Sequence, residues 1–213
     1  RLVGLHFFNP VAKLPLVEVV SAPDSAEDST ATALAFTRQI GKLPLPCRSR
    51  PGFLVNRILG PYMAEAMELL RDGPAAAVID QAAVDFGMPM GPVELADSVG
   101  LDVARHVAAV LEPVIGRSAA PELLAKVEAG QLGRKTGSGF YSYKDGKPVR
   151  DRVAPDSAAP ELQERLILSL LNEAANCLAD ELVADADLVD AGAIFGTGFA
   201  PFRGGPLNYA RSR

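Results

Sequence analysis

His6 and Glu18 are the residues here whose types and spacing could move a proton. His6 sits in an apolar run over 2–8 and Glu18 in a second over 14–20, with Asn9-Pro10-Val11-Ala12-Lys13 between them. Two β-branched-rich runs joined by a proline-marked connection predict a hairpin. If the strands pair symmetrically about Ala12, His6 faces Glu18, and opposed residues have Cβ atoms roughly 4.5–5.5 Å apart. A carboxylate on one ring nitrogen fixes the tautomer and stabilises the imidazolium. The other nitrogen is then left to accept a proton, for instance from an alcohol. The same spacing also admits a bland reading, a sheet histidine with a solvated glutamate nearby.

Other candidates are weaker. Gly133-Arg-Lys-Thr136 lacks the glycine directly before lysine, and the earlier glycine, that a phosphate-binding loop needs. Gly196-Thr-Gly198 has no third glycine at dinucleotide-binding spacing and follows a helix, so it reads as a turn. No strand–GxGxxG–helix segment is present. His106 falls on a helix without metal-ligand spacing and reads as a surface or structural residue. Cys47 and Cys177 read as small buried hydrophobes; two cysteines support neither a disulfide scaffold nor a cysteine-based metal site. No metal is expected.

The elements that must position the pair are mostly helical. The 213 residues are 48% hydrophobic, and the net charge of −5 excludes a basic field for nucleic acid. No apolar run is long enough for a membrane span. A helix is expected over 25–41, ending at Gly41, then a short edge or lone extended segment over 43–47. Val55, Ile58, Leu59, Tyr62, Met63, Ala66, Met67 and Leu70 form one amphipathic stripe. Further helices are expected over 75–86, 93–98, 101–115 and 121–129, and a glycine-rich segment with a short strand or hairpin over 130–147. A linker over 145–160 leads to helices over 161–183 and 186–195 and a loop-rich end. The pattern around Asn56-Arg57 and Glu65 returns around Glu164-Arg165 and Glu173, which predicts an internal repeat. In its second part, Phe86-Gly87 before Pro92 aligns with Phe195-Gly196 before Pro201. The chain opens on Arg1 directly into a strand-like run, as a piece of a longer chain would.

Four segments resemble the L-3-hydroxyacyl-CoA dehydrogenase family. They are His6-Phe-Phe-Asn-Pro10 with the following Leu16-Val-Glu18, Pro51-Gly-Phe-Leu-Val-Asn56-Arg57, the run from Gly87-Met-Pro-Met-Gly-Pro92 through Asp97 to Asp102, and Gly133-Arg-Lys-Thr-Gly-Ser-Gly-Phe-Tyr141. Residues 161–210 resemble the second helical domain of multifunctional fatty-acid β-oxidation enzymes. The resemblance implies oxidation of an (S)-3-hydroxyacyl-CoA to the 3-ketoacyl-CoA with NAD, in the cytoplasm. It implies catalytic roles for His6 and Glu18, substrate contact by Asn56, and cofactor contact by Asn9 and, more weakly, Lys135.

The implied fold is mainly α. It has two repeated helical domains like the C-terminal part of 6-phosphogluconate dehydrogenase, over 51–144 and 161–213. Residues 1–50 would be the β remnant of a truncated Rossmann domain. The family's nucleotide-binding βαβ units and active-site serine match nothing here, so these residues alone are expected to be inactive and to bind NAD poorly. Phe195 also departs from the tyrosine common in the long enzymes. The repeats are expected to pack on each other within one chain, with a dimer as a further option, and 161–213 to cover rather than catalyse. Two rivals stay open: a non-catalytic helical docking or dimerisation module, and another NAD-dependent 3-hydroxyacid dehydrogenase.

Overall fold

The computed structural model describes residues 2–150 and 160–213. The chain is mainly helical, with a small sheet at its N-terminus. It separates into two compact units, one of residues 1–58 with 171–213 and one of residues 59–170. The long helices α2 (Val55–Asp72) and α7 (Pro160–Ala179) each contribute one end to either unit.

In the first unit, β1 (Val3–Phe7) pairs antiparallel with β2 (Leu16–Ser21), and β2 pairs parallel with β3 (Leu43–Arg48). Parallel neighbours need a crossover, and α1 (Glu27–Gln39) provides it. β2 is central, and its residues 16–20 are buried on both faces. β3 carries Pro44 and Pro46, which donate no ladder hydrogen bond and suit an edge. It is a paired edge strand, not a lone segment, and its last amide, Arg48 N, donates to Leu182 O at 2.8 Å. The unit is completed by the end of α7, by α8 (Ala186–Thr197) and by α9 (Pro206–Arg211). Arg57, buried at the start of α2, donates to Glu173 Oε1 at 2.6 Å and Asp180 Oδ2 at 2.5 Å.

The second unit holds the rest of α2, α3 (Ala76–Phe86), α4 (Pro92–Val99), α5 (Leu101–Ile115), α6 (Pro121–Glu128) and the hairpin β4 (Ser142–Lys144)–β5 (Lys147–Val149). Ala96, Leu101 and Leu123 centre one of its cores. Two buried aspartates organise it. Asp80 accepts from Val93 N and Glu94 N at 2.8 and 3.0 Å, capping α4, and from the Tyr141 hydroxyl at 2.7 Å. Asp97 accepts from Phe140 N and Tyr141 N at 3.0 and 2.9 Å. A methyl on Gly139 would lie 2.1 Å from Asp97 Oδ1, so only glycine admits this approach. In this unit the start of α7 meets the end of α2: Arg165 donates to Glu65 Oε1 at 2.7 Å and Asp72 Oδ2 at 3.0 Å.

Three sequence expectations need correction. Lys147–Val149 is a strand, so the linker cannot begin at 145; residues 151–159 of it lie outside the described residues. Gly196 and Thr197 form the last turn of α8 and only Gly198 leaves it, so that segment is not simply a turn. The loop-rich end contains α9. Asp190 caps α9 as Asp80 caps α4. Asp190 accepts from Leu207 N and Asn208 N at 2.7 and 3.1 Å. Methyls on Gly91 and Gly205 would meet Asp80 Cβ and Asp190 Cβ at 2.2 and 2.3 Å respectively.

Candidate active site

The hairpin register places His6 directly opposite Glu18, as symmetry about Ala12 predicts. Their side chains meet, with His6 Nδ1 2.6 Å from Glu18 Oε2. The imidazole is 32% exposed and the carboxylate 0%, so Glu18 is not the solvated side chain of the bland reading. Its second oxygen, Oε1, accepts from Leu54 N and Val55 N, both at 2.9 Å. These are amides at the start of α2, where orphan N–H groups and the helix dipole favour an anion.

A glutamate carboxylate can only accept hydrogen bonds. With Glu18 in that form, His6 Nδ1 carries the proton that bridges them. Nε2 is left as the nitrogen able to take a proton from outside, and a proton arriving there forms an imidazolium facing a buried anion.

The neighbours of the ring fix its plane. Phe8 lies edge-on at a centroid distance of 4.7 Å, and Phe53 is tilted at 5.4 Å. Phe53 has φ 48° and follows Gly52 at φ 78°. Two successive left-handed residues swing the chain so that the next two amides face Glu18. For a phenylalanine this conformation costs of order 1–3 kcal/mol, held by the surrounding packing.

Composition and motifs gave no hint of the amides on Glu18, but one signal existed. α2 has no acidic residue in its first turn, and no Ser, Thr, Asp or Asn stands directly before it. A helix start so poor in caps must find its acceptor elsewhere in the chain.

Asn56 follows these amides in the first turn of α2 and is half-buried. Asn9 stands three residues beyond His6, exposed. Lys135 belongs to the second unit, where its ammonium lies 2.5 Å from Asp102 Oδ1. That hydrogen bond holds the Asp102 carboxyl below the usual range. His106 is exposed on α5. Cys47 and Cys177 are buried, which raises both thiols far above their ordinary range. No group of His, Cys, Asp and Glu among the described residues could hold a metal ion, and no helix among them is long and apolar enough to cross a membrane.

Comparison with known proteins matches residues 1–50 to the NAD binding domain of 3-hydroxyacyl-CoA dehydrogenase and residues 52–143 to its C-terminal domain. The fatty acid oxidation complex subunit alpha of Shewanella amazonensis is 43% identical over 98% of this chain and 32% of its own length. That of Shewanella baltica is 42% identical over the same shares. Among solved structures, the 3-hydroxybutyryl-CoA dehydrogenase of Escherichia coli aligns with TM-score 0.82 at 26% identity, covering 99% of this chain and 63% of that one. The (S)-3-hydroxybutyryl-CoA dehydrogenase of Ralstonia eutropha aligns with TM-score 0.64 at 38% identity, covering 67% and 52%. The chain belongs to the 3-hydroxyacyl-CoA dehydrogenase family. It spans about a third of the length of the curated relatives it matches.

Proposed function

We propose that these residues supply the proton-accepting part of an enzyme that oxidises an (S)-3-hydroxyacyl-CoA to the 3-ketoacyl-CoA in fatty-acid oxidation. The observation that carries this reading is the buried Glu18 carboxylate, fixed by two helix amides and bonded to a partly exposed His6. His6 Nε2 takes the hydroxyl proton as the C3–H bond breaks. Glu18 orients the ring and balances the charge it acquires. General base catalysis of this kind contributes about 10²–10⁴ in rate.

NAD⁺, when bound, accepts the hydride. The residues present fit one end of that cofactor. Asn9 offers an exposed amide close in sequence to the base, while the glycine turn that a pyrophosphate requires is absent from the described residues. The rest of the nucleotide would be held by parts of the full-length relatives that this chain does not span. Asn56, next to the amides on Glu18, is assigned to the acyl-CoA thioester end. Lys135 enters only as a surface cation held by Asp102.

On this reading, residues 1–50 close the nucleotide-binding domain, 51–144 form the first helical domain and 161–213 a second, partial copy of it. The ion pairs of α2 and α7 support the duplication. Arg57 reaches Glu173 and Asp180, and Arg165 reaches Glu65 and Asp72, which is the reciprocal exchange of a two-fold contact. The apolar stripes of the two helices would thus be satisfied within one chain, where single-copy proteins would need a partner.

The test is His6→Gln in the full-length protein, assayed with (S)-3-hydroxybutyryl-CoA and NAD⁺. kcat should fall by roughly 10²-fold or more, with NADH affinity little changed, because only the proton acceptor is lost. A fall of less than about fivefold means that His6 is not the base.

A further inference from the structure

We infer that one face of α8, formed by Gly192 and Gly196, is a positioning surface for the Glu18 carboxylate. The inference rests on the reading of His6 and Glu18 given above and extends it to the C-terminal segment, which the sequence suggests is mere cover.

The glycines lie four residues apart, hence on one side of the helix. A methyl on Gly192 would lie 2.5 Å from Leu54 Cδ2 and 3.2 Å from Leu45 Cδ2. A methyl on Gly196 would lie 2.5 and 2.9 Å from the two Val55 methyls and 3.1 Å from Leu16 Cδ2. Leu54 and Val55 are the two residues whose amides hold Glu18 Oε1. Both are almost wholly buried, at 0% and 1% exposure, and have nowhere to retreat. α8 itself is fixed at several points. Its start is capped by Asp185 on Leu188 N, its middle is tied through Asp190 to Leu207 N and Asn208 N, and it ends at a left-handed Gly198. The approach of α8 therefore sets where the two amides stand.

Alanine normally strengthens a helix interior relative to glycine. Here it should do the opposite, and the damage should appear in the chemistry. Pushing Val55 away lengthens its hydrogen bond to Oε1. A carboxylate with fewer amide donors pulls harder on the His6 proton, so the imidazole becomes more basic. Since His6 must be neutral to act as base, the acidic limb of the kcat/KM profile should move to higher pH.

The experiment uses the full-length protein carrying Gly196→Ala, Val55→Ala or both, assayed with (S)-3-hydroxybutyryl-CoA. Gly196→Ala should lower kcat by about tenfold, leave KM within about twofold, and raise the acidic limb by about half a pH unit or more. The double variant removes the methyls that clash. It should recover most of the loss relative to Val55→Ala alone and return the limb to its original pH. Gly192→Ala paired with Leu54→Ala carries the same expectation where Gly196→Ala does not fold. A lowered melting temperature with kcat per folded enzyme and acidic limb unmoved would overturn the inference, as would a double variant no better than the glycine variant. Such outcomes leave His6 as base untouched, whereas a silent His6→Gln would sink the underlying reading itself.

Discussion

Replacing Glu18 with Gln changes the least atomic volume for the largest predicted effect. The side chain keeps one carbonyl oxygen, which can still accept from Leu54 N and Val55 N at the 2.9 Å the carboxylate now enjoys. Its NH₂ group must then face His6 Nδ1, 2.6 Å away in the parent site. Two donors cannot share that contact, so Nδ1 gives up its proton and Nε2 takes one. On the proposed function, the nitrogen that would take the substrate's proton is then already protonated and cannot act as base. Changing a carboxylate to an amide behind a catalytic histidine costs about 10⁴ in kcat where it has been isolated. We therefore expect a loss of roughly 10³–10⁴, which is about 4–5.5 kcal/mol of transition-state stabilisation. Stability should change little, because the helix amides keep their acceptor and a buried charge is removed. Glu18→Ala should instead destabilise strongly, because two buried amides lose their partner at about 1–3 kcal/mol each. NADH formation from (S)-3-hydroxybutyryl-CoA measures the first effect and urea unfolding the second. A Glu18→Gln enzyme keeping more than about a tenth of the parent kcat would refute the tautomer argument.

Two further outcomes test the frame around the site. Arg57→Leu should cost about 3–5 kcal/mol in urea unfolding, since it leaves the buried Glu173 without a countercharge among the described residues, held only by the Asn176 amide at 3.0 Å; Arg165→Leu should cost about 1 kcal/mol or less, since Arg165 is 43% exposed and Arg117 still reaches Glu65 at 3.1 Å. Burial pushes the Asp80 carboxyl from its ordinary 3.8 up to about 6, against the pull of Tyr141 and two amides. A carboxyl raised on folding stabilises fully below its unfolded value and loses that contribution as pH rises through its folded one. The stability advantage of the parent over Asp80→Asn should accordingly shrink between about pH 4 and 6, by at most about 3 kcal/mol; an advantage that grows over that range contradicts the burial argument.

What could be read from the sequence was what is local or periodic. The hairpin was legible because its two runs are nearly equal and a proline-marked turn lies between them, so the partner of His6 followed from counting. The long helices were legible because their stripes repeat at helical spacing. The burial of Glu18 was not, because it depends on β2 being central, and that requires knowing that β3 joins it in parallel after α1. α9 was missed because six residues carry too little periodicity to outweigh the glycines and prolines around them. The 3₁₀ turn at Pro201–Arg203 is hidden for the same reason, whereas an aspartate cap marks where each short helix begins.

Those caps also show how the family's glycine-rich motifs divide into chemistry and support. Asp80 holds the start of α4 and the Tyr141 hydroxyl, and Asp97 holds the Phe140 and Tyr141 amides, each across a glycine that admits no methyl. These motifs therefore read as packing constraints of the second unit. The Pro51–Arg57 motif is different, because five of its residues bear on the His6–Glu18 pair or its frame. Gly52 and Phe53 turn the chain, Leu54 and Val55 give their amides to Glu18, and Arg57 pins the start of α2 to α7. A substitution that shifts the Leu54 or Val55 amide would change the surroundings of Glu18, and through it of His6, without touching the imidazole. This is why His6 and the helix that steadies its partner carboxylate are better regarded as one structural element than as a site and its scaffold.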